Sequence, residues 1–361
     1  MRFEGKKLTV QVFGQSHAAA IGAVIDGLPA GVRIDRERLQ AFMNRRAPGQ
    51  GAYATARKEA DAPEFLSGLV EDVTCGAPVC AVIRNGDPRS SDYEAFRRVP
   101  RPSHADWPAT VKYGSGYDIR GGGPFSGRLT APLCVAGGIA LQLLEARGIR
   151  IGAHIAAIGG VKDEAFDPVG VSAADFDRIA DNGFPTLCRE AGQEMLAAIE
   201  EARKEGDSVG GAVECAAIGL KAGLGGPLFE GLESALAHAL FAIPAVRGVE
   251  FGAGFSAAGM RGSAHNDPYI LREGSVATET NHAGGILGGI STGMPLILRV
   301  AFKPTPSIGK PQRSVNLETG EETELVIHGR HDPCVVPRAV PVVEAVTALV
   351  LLDEIMSGAD A

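Results

Sequence analysis

One pattern occurs twice along the chain, and it limits the folds that the sequence can adopt. Residues 27–31, Gly-Leu-Pro-Ala-Gly, follow an apolar segment and precede an amphipathic one, and residues 219–223, Gly-Leu-Lys-Ala-Gly, do the same. Residues 74–79 and 291–296 form a second matching pair, and each of them enters a predicted strand. Each half then ends in a long apolar helix. This order of parts predicts a duplicated β/α unit.

The duplicated unit predicts an α/β (α+β) fold in which two sheets enclose the helices as a β-α-β sandwich. With 361 residues the chain can bury a substantial core, and we expect residues 1–361 to form a single domain. Within it, the internal repeat covers residues 22–147 and 211–355. Unrelated topologies in these two ranges would refute the duplication.

Local patterns predict the individual elements. Asp35 is expected to cap a helix that ends near Arg46, ahead of Pro48. Further helices are expected at 130–147 (capped by Thr130), 186–204, 229–242 and 337–356. Strands are expected at 7–13, 20–26, 150–158, 211–219, 247–252 and 295–302, with two more in 68–84 and a hairpin around Thr319-Gly320. Residues 84–123 are expected to be mostly irregular, and loops of this length are usually functional.

Composition and charge exclude several classes of protein. A net charge of −8 argues against a general nucleic-acid binder, which normally carries a basic surface. The first seven residues carry charges where a signal peptide needs an apolar core, and the longest apolar stretch, 131–144, is too short to span a bilayer. Six scattered cysteines without CxxC pairs read as reduced thiols. We therefore expect a cytoplasmic protein with no membrane or nucleic-acid partner and no metal site.

The stretch from residue 101 to residue 128 carries the densest chemistry in the sequence. It holds His104, Asp106, three arginines and the glycine triplet 121–123. Consecutive glycines are costly in entropy, so they are expected where only a bare backbone can approach a ligand. Arginine forks suit phosphate or carboxylate groups, and an imidazole moves protons near neutral pH. The stretch therefore indicates a phosphate-bearing substrate with acid-base chemistry beside it.

Other motifs are weak when taken singly. His17 lies in a turn beside Ser16, and His331 with Asp332 could be a plain turn or an incomplete metal site. Residues 252–257 resemble a dinucleotide fingerprint, but the glycines and proline that follow cannot form the helix it requires. No GxxxxGK[ST] motif occurs. Residues 303–307, Lys-Pro-Thr-Pro-Ser, either end a strand or offer a cation and two hydroxyls to a cofactor phosphate.

Taken together and in order, these motifs resemble the chorismate synthase family from end to end. The matching segments are residues 14–17, 26–31, 45–50, 101–106, 112–114, 120–123, 262–263, 266–267, 281–293, 303–305 and 329–334. The resemblance implies conversion of 5-enolpyruvylshikimate-3-phosphate to chorismate, an anti-1,4 elimination of phosphate that ends the shikimate pathway. It also implies a chorismate synthase-like fold, a homotetramer, and a need for reduced FMN (FMNH2) without net redox change. Reduced flavin is expected from an external source, and an intrinsic NADP-dependent flavin reductase activity is left open.

The resemblance also implies roles for individual residues. His17 matches an acid near the departing phosphate. His104 matches a histidine that is held against the reduced flavin and favours the protonated form of the flavin. Asp332 matches a carboxylate that helps flavin N5 take up the C6 proton. The implied substrate-binding residues are Ser16, Arg45, Arg46, Arg128 and Arg338. The implied flavin-binding residues are Ser126, Gly288, Lys303, Pro304, Thr305, Ser307 and Arg330.

The chain departs from the usual family pattern at several ligand-facing positions. Gln15 and Ala18 alter the first motif, and Ala52 stands where an arginine is frequent. After the glycine triplet, Pro124 and Phe125 replace an arginine and a serine, and Leu129 replaces a glutamate. Two expected cations are thus missing, and we predict an active subtype with rearranged anion contacts. The alternatives are a flavin-dependent oxidoreductase or flavin reductase, and a non-catalytic binder of flavin or phosphate.

Overall fold

The structure is a computed structural model, and it describes residues 1–49, 61–86, 93, 95–327 and 332–358. Its strands are β1 (Arg2–Glu4), β2 (Thr9–Gly14), β3 (Ala20–Asp26), β4 (Glu64–Ser67), β5 (Leu69–Val70), β6 (Val73–Thr74), β7 (Val79–Arg84), β8 (Arg150–Ile158), β9 (Val161–Lys162), β10 (Gly211–Ile218), β11 (Val246–Phe251), β12 (Tyr269–Arg272), β13 (Ser275–Thr278), β14 (Ile286–Leu287), β15 (Ile290–Ser291), β16 (Leu296–Phe302), β17 (Gln312–Asn316) and β18 (Glu321–Leu325). Its α-helices are α1 (Arg36–Arg46), α2 (Ala95–Arg98), α3 (Asp106–Tyr113), α4 (Thr130–Glu145), α5 (Ala173–Asp181), α6 (Arg189–Lys204), α7 (Leu232–Leu240), α8 (Gly262–His265) and α9 (Val336–Ser357).

Two five-stranded antiparallel sheets enclose the long helices, which confirms the predicted sandwich. The first sheet has the order β1-β2-β3-β7-β4 and the second β11-β16-β10-β8-β9. Helix α4 packs on the first sheet, α9 packs on the second, and the two helices pack against each other. A Cβ atom added to Gly137 of α4 would lie only 2.3 Å from the Cβ atom of Ala345 in α9. The two helices therefore approach closely because Gly137 lacks a side chain.

The two sheets share a topology. In the first half the chain runs β2, β3, α1, β7, α4, and β3 pairs antiparallel with both β2 and β7. In the second half it runs β8, β10, α7, β16, α9, with β11 inserted, and β10 pairs antiparallel with both β8 and β16. The match supports the internal repeat over 22–147 and 211–355 in a single domain, which we retain as a proposal.

Most predicted elements begin and end near their expected positions, and the main differences concern four of the helices. Residues 106–113, expected to be irregular, form α3. Pro108 does not prevent this helix, since it lies in the first turn, where a proline costs no internal hydrogen bond. Helix α5 was not predicted. Helix α7 is shorter than 229–242, since the chain forms a 3₁₀ turn before Gly231, the residue preceding the helix. Thr130 is the first residue of α4, not its cap, and its hydroxyl donates to the Gly127 carbonyl.

Residues Gly127–Glu145 are long and apolar enough to cross a membrane by length and composition alone. In the fold, 78% of their most apolar window is buried inside the molecule. Helix α4, which makes up most of this segment, packs between the first sheet and α9. The segment therefore has the surroundings of a core helix.

Candidate active site

A cleft of about 620 Å³ opens between segments from both halves of the chain. Its volume lies within the range of small-molecule sites. Among the described residues that line it are six cationic side chains: Arg46, Arg101, Arg128, Arg247, Lys303 and Arg338. Asp332 is the acidic side chain of that described lining. Although the chain as a whole carries a charge of −8, this cleft is built to hold an anion.

Three of the cations belong to one cluster at the end of α1. Asp61 is fully buried and accepts from Nη1 of Arg46 at 2.5 Å and from Nη1 of Arg128. Burial alone would raise the pKa of Asp61, but the two guanidinium groups hold it below its ordinary value. Beside them, Arg338 donates to Asp332 at 2.6 Å and to the Arg46 carbonyl at 3.1 Å. Within this described cluster three guanidinium groups face two carboxylates, which leaves an excess of one positive charge.

His17 lies behind the cleft wall, in the turn between β2 and β3. A Cβ atom added to Gly121 would lie 2.4 Å from Oγ of Ser16 and 2.8 Å from Nε2 of His17, and Gly121 has a φ of +59°. The ring of Tyr93 meets His17 edge-on, with centroids 5.2 Å apart. Because Gly121 and Tyr93 both line the cleft, the bare glycine lets Ser16 and His17 approach it.

Asn85 connects the His17 turn to the arginine cluster. Its side-chain amide donates to the carbonyls of Ser16 and Ala18, at 3.3 and 2.7 Å, while its Oδ1 accepts from Nε of Arg128 at 3.2 Å. One amide therefore fixes both the turn that carries the predicted acid and an arginine of the predicted phosphate site.

His104 lies in a turn held by Asp106 and Arg101. Its Nδ1 lies 2.6 Å from Oδ1 of Asp106, and Arg101 donates to both oxygens of the same carboxylate, at 2.7 and 2.8 Å. Burial lowers the pKa of His104, an effect that the hydrogen bond to Asp106 partly offsets. Burial alone would raise the pKa of Asp106, but hydrogen bonds from Arg101 and His104 hold it well below its usual range.

The segment after β16 forms the adjoining wall. Lys303 donates to the Ser103 carbonyl, and Ser307 accepts from Nη1 of Arg101 at 3.3 Å. Oγ1 of Thr305 is buried and has no hydrogen-bond partner within the part of the chain that the structure describes. A buried hydroxyl left in this way normally awaits a ligand or water. Ser126 also lines the cleft and accepts from the Arg128 amide at 3.3 Å.

The structure does not bring all the predicted binding residues together. Arg45 lies outside the cleft, in a smaller depression, where it forms a bidentate ion pair with Glu344 at 2.6 and 2.7 Å. Pro304 packs against Gly210, and Gly288 lies in the turn between β14 and β15; neither belongs to the described lining. Arg330 lies outside the described residues, as do His331 and Ala52.

Several residues of the site were not in the predicted set. Arg101 and Asp106 flank His104 in the sequence, and that proximity was a usable signal. No sequence signal pointed to Asp61, because it lies in an ordinary polar segment far along the chain from Arg128. Ile243, Pro244 and Ala245 line the cleft from the loop that joins α7 to β11, and Arg247 lines it from β11.

The chain as a whole is similar to proteins of one known family. The family model described as chorismate synthase matches residues 8–356. The chorismate synthase of Thermococcus gammatolerans is 50% identical over 353 residues, which cover 98% of this chain and 97% of that protein. That of Korarchaeum cryptofilum is 47% identical over 98% of this chain and 96% of that protein. A crystal structure of a chorismate synthase superposes with a TM-score of 0.78 at 26% identity, covering 98% of this chain and 93% of that one.

Proposed function

The chain belongs to the chorismate synthase family, and we propose that its cleft performs the family's reaction with the residues described above. A chorismate synthase is a carbon–oxygen lyase that eliminates phosphate from 5-enolpyruvylshikimate-3-phosphate. The observation that carries the residue assignment is that, among the described residues around Asp61, three guanidinium groups lie with two carboxylates, and Asn85 joins this cluster to the turn that carries His17.

In this proposal the arginine cluster binds the phosphate. Arg46, Arg128 and Arg338 are each held by a carboxylate, so they need little reorganisation when negative charge builds up on the departing group. Preorganised charge of this kind is usually the largest catalytic contribution. His17 is the acid beside that group. Asp332 lines the cleft in its ion pair with Arg338, and it is the carboxylate that assists removal of the C6 proton of the substrate.

The part of the cleft formed by the segment after β16 and by β11 fits a reduced flavin. The cations Lys303 and Arg247 offer a phosphate contact, as does the Thr305 hydroxyl, which has no hydrogen-bond partner among the described residues. Apolar side chains such as Ile243 and Phe302 also line the cleft and offer a surface for a flat ring. When bound, reduced FMN would supply electron density to the breaking C–O bond. We propose that Ser126, Lys303, Thr305 and Ser307 hold it and that His104 lies against it. Reduced flavin then comes from outside the chain, in the cytoplasm.

We also propose a homotetramer, supported by an exposed apolar surface in the second half of the chain. Leu228, Phe229, Phe255 and Leu271 are each more than three-quarters exposed, and apolar patches of this kind mark interaction sites. Gly288 lies outside the described lining of the cleft, and we propose that it reaches the flavin of a neighbouring subunit. A Phe229→Glu variant that stays tetrameric in light scattering would remove this surface from the interface.

Anaerobic turnover with pre-reduced FMN tests the function. A lyase forms chorismate and phosphate steadily without consuming reductant. Stoichiometric loss of reductant would instead indicate a flavin reductase or oxidoreductase, and binding without product would indicate a binding protein. Either of these outcomes would overturn the proposal.

A further inference from the structure

We propose that Asp106 and Arg101 are positioning residues that hold His104 with its proton on Nδ1, so that Nε2 faces the cleft as a hydrogen-bond acceptor. The inference rests on the proposed function only in taking this cleft as the ligand site. It adds to the predicted role of His104 a defined protonation pattern and the two residues that impose it.

The contacts at Nδ1 determine the position of the proton. An ionised carboxylate can only accept, so a distance of 2.6 Å between Nδ1 and Oδ1 of Asp106 requires the proton to lie on Nδ1. Nη2 of Arg101 lies 3.1 Å from the same Nδ1, but a guanidinium has only donors and cannot bond to a protonated nitrogen. The contact between Arg101 and Nδ1 is therefore not a hydrogen bond. Arg101 instead donates two shorter hydrogen bonds to Asp106.

The rest of the turn keeps the ring in this orientation. Asp106 is almost fully buried, and its backbone carbonyl accepts from the hydroxyl of Tyr117 at 3.3 Å. The guanidinium of Arg101 stacks over the ring of Phe96 at 4.5 Å. On the far side of the imidazole, a Cβ atom added to Gly122 would lie 3.4 Å from Nε2. Nδ1 thus points into the protein, and the opposite edge of the ring lies beside the glycine triplet at the cleft.

Burial is the main reason that the imidazole stays neutral, and the charges that face it act in both directions. Asp106 is the negative group, while Arg101 and, from the segment after β16, Lys303 are positive. Burial acts in the same direction as the two cations, and the pKa of His104 lies below its ordinary value. A neutral ring with a bare Nε2 accepts a hydrogen bond from a ligand N–H or O–H group. Such an acceptor stabilises the protonated form of that ligand group.

The test is NMR of the ligand-free protein labelled with ¹⁵N-histidine, with His104→Gln used to assign the ring. We expect Nδ1 protonated and Nε2 unprotonated at pH 7, and a titration midpoint below about 6.5. Arg101→Met should raise the midpoint by about one pH unit, since it removes a cation, and Asp106→Asn should lower it by a similar amount. The acid limb of kcat should move in the same two directions.

Arg101→Lys is the matched control, because it keeps the charge and should leave the midpoint near that of the wild type. Fluorescence of Trp107, the single tryptophan of the chain, reports whether each variant keeps its local fold. A proton found on Nε2 in the wild-type protein would overturn the proposal, as would midpoints that move in the same direction in the Arg101→Met and Asp106→Asn variants. Both results are independent of whether the protein forms chorismate.

Discussion

Asp61 offers the sharpest test of the arginine cluster, because one buried carboxylate holds two buried guanidinium groups. The side chains of Asp61, Arg46 and Arg128 are 0%, 2% and 4% exposed. Asp61→Asn removes the negative charge and leaves the two cations facing each other. Breaking a buried pair by removing one partner typically costs about 3–5 kcal/mol, and we expect a loss of unfolding free energy in that range.

The matched control is Asp72→Asn. Asp72 forms an ion pair with Arg36 at 2.5 Å, but both side chains are about two-fifths exposed, and such surface pairs contribute about 0–1 kcal/mol. Urea denaturation at pH 7 measures both variants against the wild type. Equal effects of the two substitutions would refute the assignment of a buried ion cluster around Asp61.

The effect of Asp61 should also depend on pH. Its pKa is lower in the folded protein than in the unfolded chain, so its stabilisation is present above the unfolded value of about 3.9 and is lost as pH falls toward the folded value. The difference in unfolding free energy between wild type and Asp61→Asn should therefore shrink below about pH 4. A difference that stays constant from pH 7 to pH 3 would contradict this account.

Three further predictions concern separate parts of the molecule. His17→Ala should lower kcat by about 10²–10⁴-fold, the usual contribution of positioned proton transfer, with an unchanged circular dichroism spectrum; wild-type turnover would refute its catalytic role. Arg46→Met should weaken substrate binding at least tenfold in a calorimetric titration, whereas Arg45→Met, outside the cleft, should leave affinity within about threefold; equal losses would contradict the placement of Arg45. Burial alone would lower the pKa of His154, but its hydrogen bonds to two carboxylates raise it. The stability that His154 contributes is therefore present below its unfolded pKa of about 6.5 and is lost as pH rises through its pKa in the folded protein. His154→Gln should remove that alkaline loss of unfolding free energy, and an unchanged slope would show that another group causes it.

The sequence predicted the sandwich because the signals for its strands and helices are local. The cap at Asp35 is an example: its side chain accepts from the Arg38 amide as expected, and α1 ends at Arg46 ahead of Pro48. Helix α3 was missed because it lies in the long polar stretch 84–123, which was expected to be mostly irregular; Pro108 in its first turn leaves the hydrogen bonds of the helix intact.

The site was predicted where its residues are close in sequence and missed where folding brings distant residues together. Asp61 pairs with Arg128, which lies 67 residues away, and no periodic pattern encodes that contact. The doublet Arg45-Arg46 shows the same limit. Adjacent positions on a helix point about 100° apart, so one arginine turns to the cleft and the other to Glu344. Only the packing of α1 on its neighbours determines which of the two arginines faces the cleft.

The placement of the phosphate is the central claim, and a crystal structure with 5-enolpyruvylshikimate-3-phosphate and oxidised FMN bound measures it directly. We predict phosphate oxygens within about 3 Å of guanidinium nitrogens of Arg46, Arg128 or Arg338, with His17 on the same side of the substrate. A substrate phosphate bound at Arg45, or on the Lys303 side of the cleft where the flavin phosphate is expected, would contradict this account.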